Sequence, residues 1–496
     1  MYLITTPIPY TNSTLHLGHL LEGIFADTMR RFYERVAGEQ VFLTMGVDQH
    51  GLKIYETAQT KGRDPQVLVN ELAVNFTELW ERYEVMPSAF VRTSSPAHHA
   101  VAQVVWQLLA KQDLIYKKTY TGLYCKGCED FYAPSQLVGG KCPIHLTEPT
   151  ETTEENYFFR LSEFKELVLA YLQEAEIQPA YIAKEYKNFL KDLQDISISR
   201  EAKRLPWGIP VPEDQTQVMY VWFEALINYL TAVVNPETLA KLTEFPNQTD
   251  EFGQEVLHEL RRALPINLMY ISKEIAKFHV VIFIAMLAGL DLPLPERVLA
   301  HGLINDNEGR KFSKSLGNGV SPAQMEAKFG VEGTRFLMLH EVNIDGDTNF
   351  DWQTMTEAYN AHLANNIGNL LMRVTTLVEK YFQGLVDLDS VEQPLFDFAP
   401  AYTYLHGLNP REALEVILEG ARKGNEYLEE KAPWKLIKTD EAATKKILTE
   451  LLVLLRDLGQ VLSIFLPATG NTIYQATVAV PIVKAKPLFQ KVELEK

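Results

Sequence analysis

Cysteine is nearly absent from this chain. Three thiols in 496 residues are too few for a disulfide framework and suit a reducing compartment. Long apolar runs are missing too. The longest, Val280 to Leu290, falls well short of the roughly 18 residues that span a bilayer, so no membrane crossing is expected. Positive charge is in deficit: a formal charge of −17 excludes a protein that coats nucleic acid indiscriminately. A local basic stripe on an acidic body can still hold an RNA, at the cost of salt sensitivity. There is no internal repeat, and the opening Met-Tyr-Leu-Ile-Thr-Thr has neither a basic leader nor an Arg-rich transit pattern, so a cytoplasmic protein is expected. The length suggests roughly three or four domains.

The few cysteines are not scattered. Cys125 and Cys128 form CxxC in Tyr-Cys-Lys-Gly-Cys, and Cys142 with His145 forms CxxH in Cys-Pro-Ile-His. Paired turns of this kind gather four soft or borderline ligands into a tetrahedron, the preference of zinc. All four positions are protein, so the expected Zn2+ is structural, one per chain, with no coordination place left for water.

Tyr2 to Thr6 reads as a buried strand, followed by a polar turn. From Leu20 the residues Leu21, Ile24, Phe25, Met29, Phe32, Tyr33 and Val36 keep a helical period, with Gly38 as a C-cap, and Val41 to Met45 returns as a strand. That order is a βαβ unit and implies a parallel, Rossmann-like sheet that binds ligands beyond its strand ends. The first half of this α/β domain is expected over 1–114. A metal-bearing insertion follows over 115–204, and the second half of the sheet domain over 205–300, with strands at Gln217–Phe223, Ile266–Ile271 and Arg297–Leu303. A linking region at 301–355 then leads to a helical bundle at 356–496, where Tyr359–Val378, Arg411–Tyr427 and Ala443–Leu466 are periodic.

Two motifs carry chemistry. The first turn leads into His16-Leu17-Gly18-His19 at a helix start, where backbone N–H groups attract anions and two imidazoles can donate to phosphate oxygens. Alone, this pattern is equally a pair of histidines capping a surface helix. The second is Lys311-Phe312-Ser313-Lys314-Ser315, a basic loop with small residues that suits a polyphosphate and, alone, is equally an ordinary solvated loop.

Together the two motifs resemble the signatures of class I aminoacyl-tRNA synthetases. Thr5-Thr6-Pro7-Ile8-Pro9-Tyr10, Asn156-Tyr157-Phe158-Phe159-Arg160, Ser197-Ile198-Ser199-Arg200, Pro206-Trp207-Gly208-Ile209-Pro210 and Tyr220-Val221-Trp222-Phe223-Glu224-Ala225 resemble, in order, blocks of the methionyl-tRNA synthetase family. The resemblance implies ATP (with Mg2+), L-methionine and tRNA(Met) as partners. It implies His16, Gly18 and His19 at the α-phosphate, Lys311, Ser313 and Lys314 over the outer phosphates, and Ser272 and Glu274 at the ribose. It places methionine against Ile8, Tyr10, Asp48, Trp222, Ala225, Tyr229, Ile275 and His279, and the anticodon against Asn369, Arg373 and Trp434; packing alone would also explain Trp222, Tyr229 and Trp434.

The chain departs from the family pattern in places. Ser272-Lys273-Glu274 stands where Gly-Lys-Asp is usual, Gln49 replaces a glutamate, and Phe312 replaces a methionine. A catalytically weakened paralogue that binds tRNA in a regulatory role is therefore the alternative. After Pro487-Leu488-Phe489 no further domain is expected, which suggests a monomer.

Overall fold

A computed structural model describes residues 1–11, 15–125, 130–132, 134–143, 146–244, 249–312 and 317–493. The chain divides into two compact units, one of residues 1–14, 41–79 and 86–301, the other of 15–40, 80–85 and 302–496. The helix that carries the His-x-Gly-His motif thus belongs to the same unit as the C-terminal helices. Among the described residues no helix is long and apolar enough to cross a membrane.

In the first unit the strands are β1 (Tyr2–Thr5), β2 (Val41–Val47), β3 (Ala89–Arg92), β4 (Ile115–Cys125), β5 (Asp130–Tyr132), β6 (Thr150–Phe159), β7 (Glu176–Gln178), β8 (Ile196–Ser197), β9 (Ser199–Glu201), β10 (Pro210–Val211), β11 (Asp214–Met219), β12 (Leu268–Ser272) and β13 (Arg297–His301). Six of them form a sheet in the order β3-β2-β1-β12-β13-β7, with every neighbouring pair parallel. Leu3, Ile4, Leu268, Met269, Ile271, Val298 and Leu299 are fully buried, as expected where both faces of a parallel sheet are covered.

Two differences from the sequence reading stand out. The stretch Gln217–Phe223 does not join this sheet. β11 ends at Met219 and pairs antiparallel with β9 and β10, and the chain turns at Tyr220 into the helix Val221–Leu226. A short apolar run fits both periods, and the helical turn brings Glu224 to two histidines described below. The sixth strand is instead β7, from within the segment read as the insertion; only Ile177 in it is buried. Four other strands of that segment form an antiparallel sheet, β5-β4-β6-β8, built on the long pairing from Ile115 opposite Phe159 to Tyr124 opposite Thr150.

The second unit is helical. The helix Leu17–Arg35 starts three residues earlier than its apolar period and stops at a Val36 C-cap, with Gly38 at φ 70° beyond it. The helices Pro322–His340, Asn369–Phe382, Pro410–Lys431, Glu441–Leu462 and Pro467–Val478 follow, packed through buried Leu371, Val374, Leu414, Leu418, Leu451 and Leu455. A charge cluster lies inside this apolar packing. Asp27, fully buried, takes Arg31 Nε and Arg335 Nη2 at 2.8 Å each. Burial alone would raise its pKa, and the Arg335, Arg31 and Arg30 guanidiniums outweigh that and hold it low. Arg335 spends its other donors on Phe465 O at 2.8 Å and Tyr83 O at 2.7 Å. The helix after His-x-Gly-His and the helix after the lysine loop are therefore joined by a buried ion pair.

Candidate active site

The histidine motif is a capping box. His16 is the N-cap of Leu17–Arg35; its Nδ1 accepts from Gly18 N at 3.1 Å, and His19 Nδ1 accepts from His16 N at 3.4 Å. The rings stack at 3.7 Å. An Nδ1 that accepts leaves the ring proton on Nε2, so each imidazole is a donor at its outer nitrogen. A Cβ on Gly18 would meet His16 Cε1 at 3.0 Å, which is why glycine sits inside the motif.

The lysine loop is tied at its base. Asp306 accepts from Arg310 Nε and Asn318 Nδ2 at 2.8 Å each and from the backbone of Arg310 at 2.8 Å and Glu308 at 3.0 Å. These bonds, Asn318 first, hold its pKa down at about 2. Asn318 and Arg310 flank the motif, and Lys311 bridges to Asn305. Ser313 and Lys314 lie outside the described residues.

In the other unit, Tyr10 and Asp48 pair as a parallel bridge just past β1 and β2, fastened by Thr11 N to Asp48 O and Asp48 N to Pro9 O, both 2.9 Å. Ile8 lies against Gly46, where a Cβ would sit 2.9 Å from Ile8 Cγ2 and 2.4 Å from Val91 O. Trp222 is 5.8 Å from Phe278, ring to ring, and Ala225 follows on the same short helix. His279 is buried; its Nδ1 donates to Ile275 O at 2.9 Å, so its Nε2 accepts the Tyr229 hydroxyl at 2.8 Å. Ile275, His279 and Tyr229 thus form one hydrogen-bonded chain. Ser272 closes β12 at φ −80°, a conformation open to any residue, so the family's glycine is not needed for the backbone there. Glu274 lies in the turn that follows.

Sequence reasoning missed what holds this arrangement. Glu224 is fully buried and accepts from His50 Nδ1 and His98 Nε2 at 2.9 Å each. Burial pushes its pKa up, and the two imidazoles reverse that and hold it low. The turn after β2 is fastened from other sides as well. Trp207 Nε1 donates to Gln49 O at 2.6 Å, Gln49 N to Thr93 Oγ1 at 2.9 Å, and Gln49 Nε2 to Val69 O at 2.9 Å. Ser94 Oγ donates to Gln49 Oε1 at 2.8 Å. An amide satisfies both a donor and an acceptor demand that a carboxylate could not, which accounts for glutamine at position 49. No local motif announces these contacts, because residues 50, 98 and 224 are far apart in sequence.

Burial lowers the pKa of His279 to about 4; burial, then His50 and His98, lower that of His99 to about 3. In the unfolded chain both titrate near 6.5. Between those values the unfolded state binds more protons, so stability is full above pH 6.5 and falls as the pH drops towards 4. The urea midpoint should fall between pH 7 and 5, and a His99→Gln, His279→Gln double variant should show a shallower fall. An unchanged wild-type midpoint would contradict neutral burial.

For the metal cluster, Cys125 and Cys142 are buried and not joined in a disulfide. Both meet Thr147: Cys125 Sγ is 3.8 Å from its hydroxyl, and Cys142 N donates to its carbonyl at 2.9 Å. Two buried, unbridged cysteines whose segments both meet Thr147 fit a soft metal. Cys128 and His145 lie outside the described residues. Among the anticodon candidates, Asn369 and Arg373 share the helix Asn369–Phe382. The Arg373 guanidinium lies 5.5 Å over the Trp434 ring and bonds Glu429 at 2.5 Å. Trp434, in the short helix Pro433–Leu436, is only partly buried.

A parallel sheet, a histidine-capped helix after its first strand and an anchored lysine loop after β13 are features of the class I aminoacyl-tRNA synthetases. The family described as tRNA synthetases class I (M) matches residues 2–151 and 134–375, and the anticodon binding domain of methionyl tRNA ligase matches 407–484. The methionine–tRNA ligase of Thermosynechococcus vestitus is 36% identical over 95% of this chain and 89% of its own length. That of Caldanaerobacter subterraneus is 36% identical over 96% of this chain and 73% of its own. The structure of Mycobacterium tuberculosis methionyl-tRNA synthetase in complex with methionyl-adenylate is 30% identical, with a TM-score of 0.83 over 100% of this chain and 98% of that one. The chain belongs to the methionyl-tRNA synthetase family.

Proposed function

We propose that the chain is a methionine–tRNA ligase. It activates L-methionine with ATP to methionyl-adenylate and pyrophosphate, then transfers the methionyl group to the 3′ adenosine of tRNA(Met). The observation that carries the reading is the match to such ligases along the whole chain; nothing in it favours the regulatory paralogue. In the first step a methionine carboxylate oxygen attacks the α-phosphorus and pyrophosphate leaves. In the second a ribose hydroxyl attacks the carbonyl carbon and AMP leaves. The protein's part is positioning and charge stabilisation.

His16 and His19 donate from Nε2 to the α-phosphate, with Gly18 giving close approach to the helix end. Lys311, Ser313 and Lys314 close over the outer phosphates of ATP, which enters with Mg2+. Ser272 and Glu274 face the ribose. Asp48 pairs with the substrate ammonium. Ile8, Tyr10, Trp222, Ala225, Tyr229, Ile275 and His279 enclose the thioether, with His279 kept neutral by burial and by its bond to Ile275. A pocket of this kind gains only about 1–3 kcal/mol from one methyl group, so homocysteine is a competitor. Charging of a tRNA(Met) transcript with labelled methionine tests the reading; pyrophosphate exchange without charging would leave only the first half of it.

Cys125, Cys128, Cys142 and His145 hold one structural zinc. Cys142→Ala should strip that metal and loosen the insertion, because metal-binding energy is folding energy here. Metal analysis after dialysis against a chelator checks this; a metal-free wild type that is folded and active would refute it. Asn369, Arg373 and Trp434 read the anticodon, with Trp434 stacking on a loop base. Trp434→Ala should leave pyrophosphate exchange intact while charging falls by the worth of one stack, about 1–3 kcal/mol. Equal loss of both activities would mean a structural role.

A further inference from the structure

We propose that His340, Glu341 and His362 form a second metal site, separate from the cysteine cluster, for an exchangeable transition dication of the zinc, nickel or cobalt kind. His340 ends the helix Pro322–His340 and Glu341 is its C-cap. His362 comes from the π-helical stretch Tyr359–Gly368, a rare geometry that frequently occurs at functional sites. One ligand atom from each of the three residues lies within 4.8 Å of the others, close enough for a small contraction or rotation to enclose an ion.

The surroundings are those of a metal-binding histidine. Such a histidine hands its other ring N–H to a carboxylate, which fixes its orientation. Glu415, on the helix Pro410–Lys431, does this: its Oε1 lies 2.9 Å from His340 Nε2. The opposite nitrogen, Nδ1, donates to Glu341 Oε1 at 2.7 Å, a bond that an incoming cation would replace by displacing the Nδ1 proton and taking both atoms as ligands. His362 faces the same ring, with centroids 4.9 Å apart. Phe336 stacks on His340 at 4.9 Å and walls one side with an apolar surface. Arg422 contacts Glu415 at 3.5 Å and Glu419 at 2.8 Å, which compensates the outer carboxylate.

Two imidazoles and one carboxylate suit borderline transition metals and not calcium or magnesium, which prefer all-oxygen sets. Three protein ligands leave a coordination place for water. A metal there clamps three helical segments of the second unit: the helix that follows the lysine loop, the π-helical stretch, and Pro410–Lys431.

The test is cobalt titration of the whole protein, with zinc filling the cysteine cluster and exchangeable metal first removed by chelator dialysis. One further equivalent is expected, with weak d–d absorption, no thiolate-to-cobalt charge transfer, and an upward shift of the melting temperature. His362→Ala and Glu341→Gln should each abolish that equivalent and the shift while keeping methionine-dependent exchange. Glu341→Gln preserves size and hydrogen bonding, so it carries the test if His362→Ala does not fold. No further equivalent in wild type, or an equivalent unchanged in the variants, overturns the site. Thiolate charge-transfer bands alone would report cobalt in the cysteine cluster, and would likewise count against this site without touching the ligase reading.

Discussion

Lys314→Ala should lower the rate of methionine-dependent pyrophosphate exchange on the order of 10²–10³-fold, the usual cost of one preorganised donor, with the methionine KM almost unchanged. The asymmetry follows from where charge develops. The proposed methionine contacts, Asp48 and an apolar wall, are on elements that do not include the loop, whereas the phosphoryl oxygens gain charge as pyrophosphate departs. A cation that meets that charge acts on the transition state and hardly on the ground state. Asp306 fastens the residues on either side of the loop, Arg310 and Asn318. A change confined to the methionine KM would put Lys314 outside the chemistry.

Arg335→Ala should cost about 3–5 kcal/mol of folding stability, the usual penalty for breaking a buried pair from one side. Arg335 is fully buried, and its loss strips a partner from Asp27 and donors from the carbonyls of Tyr83 and Phe465. Asp27 keeps Arg30 and Arg31, so the acidic group is weakened in its support and not abandoned. Urea denaturation of the two proteins measures the difference. A loss below about 1 kcal/mol, the scale of an exposed pair, would show that the cluster adapts. Where the variant folds, its exchange activity reports whether the link between the helices of the two phosphate motifs matters beyond stability.

Much of this was legible in the sequence because it is local. The histidine cap and the long amphipathic helices each declare themselves within a few residues, and β1, β12 and β13 are short apolar runs in the order a parallel sheet requires. What escaped depends on distant partners. β7 has a single buried residue, Ile177, and its place is fixed by pairing with β13, not by its own pattern. Tyr220 to Phe223 is aromatic and β-branched enough for a strand, yet Glu224 beyond it is anchored on His50 and His98, and the chain turns helical there. The pairing of Asp27 with Arg335 spans 308 positions, and no spacing rule reaches that far. Gln49 and Ser272 looked like defects in a pattern. The first fills its donor and acceptor needs, and the second sits in a backbone conformation that never required glycine.

Methionine activation is read out by ATP–pyrophosphate exchange of the purified chain with each amino acid supplied in turn. Exchange that requires methionine, and collapses in Lys314→Ala while methionine still binds, is the expected result. No methionine-dependent exchange at saturating ATP, with tRNA binding retained, would contradict it.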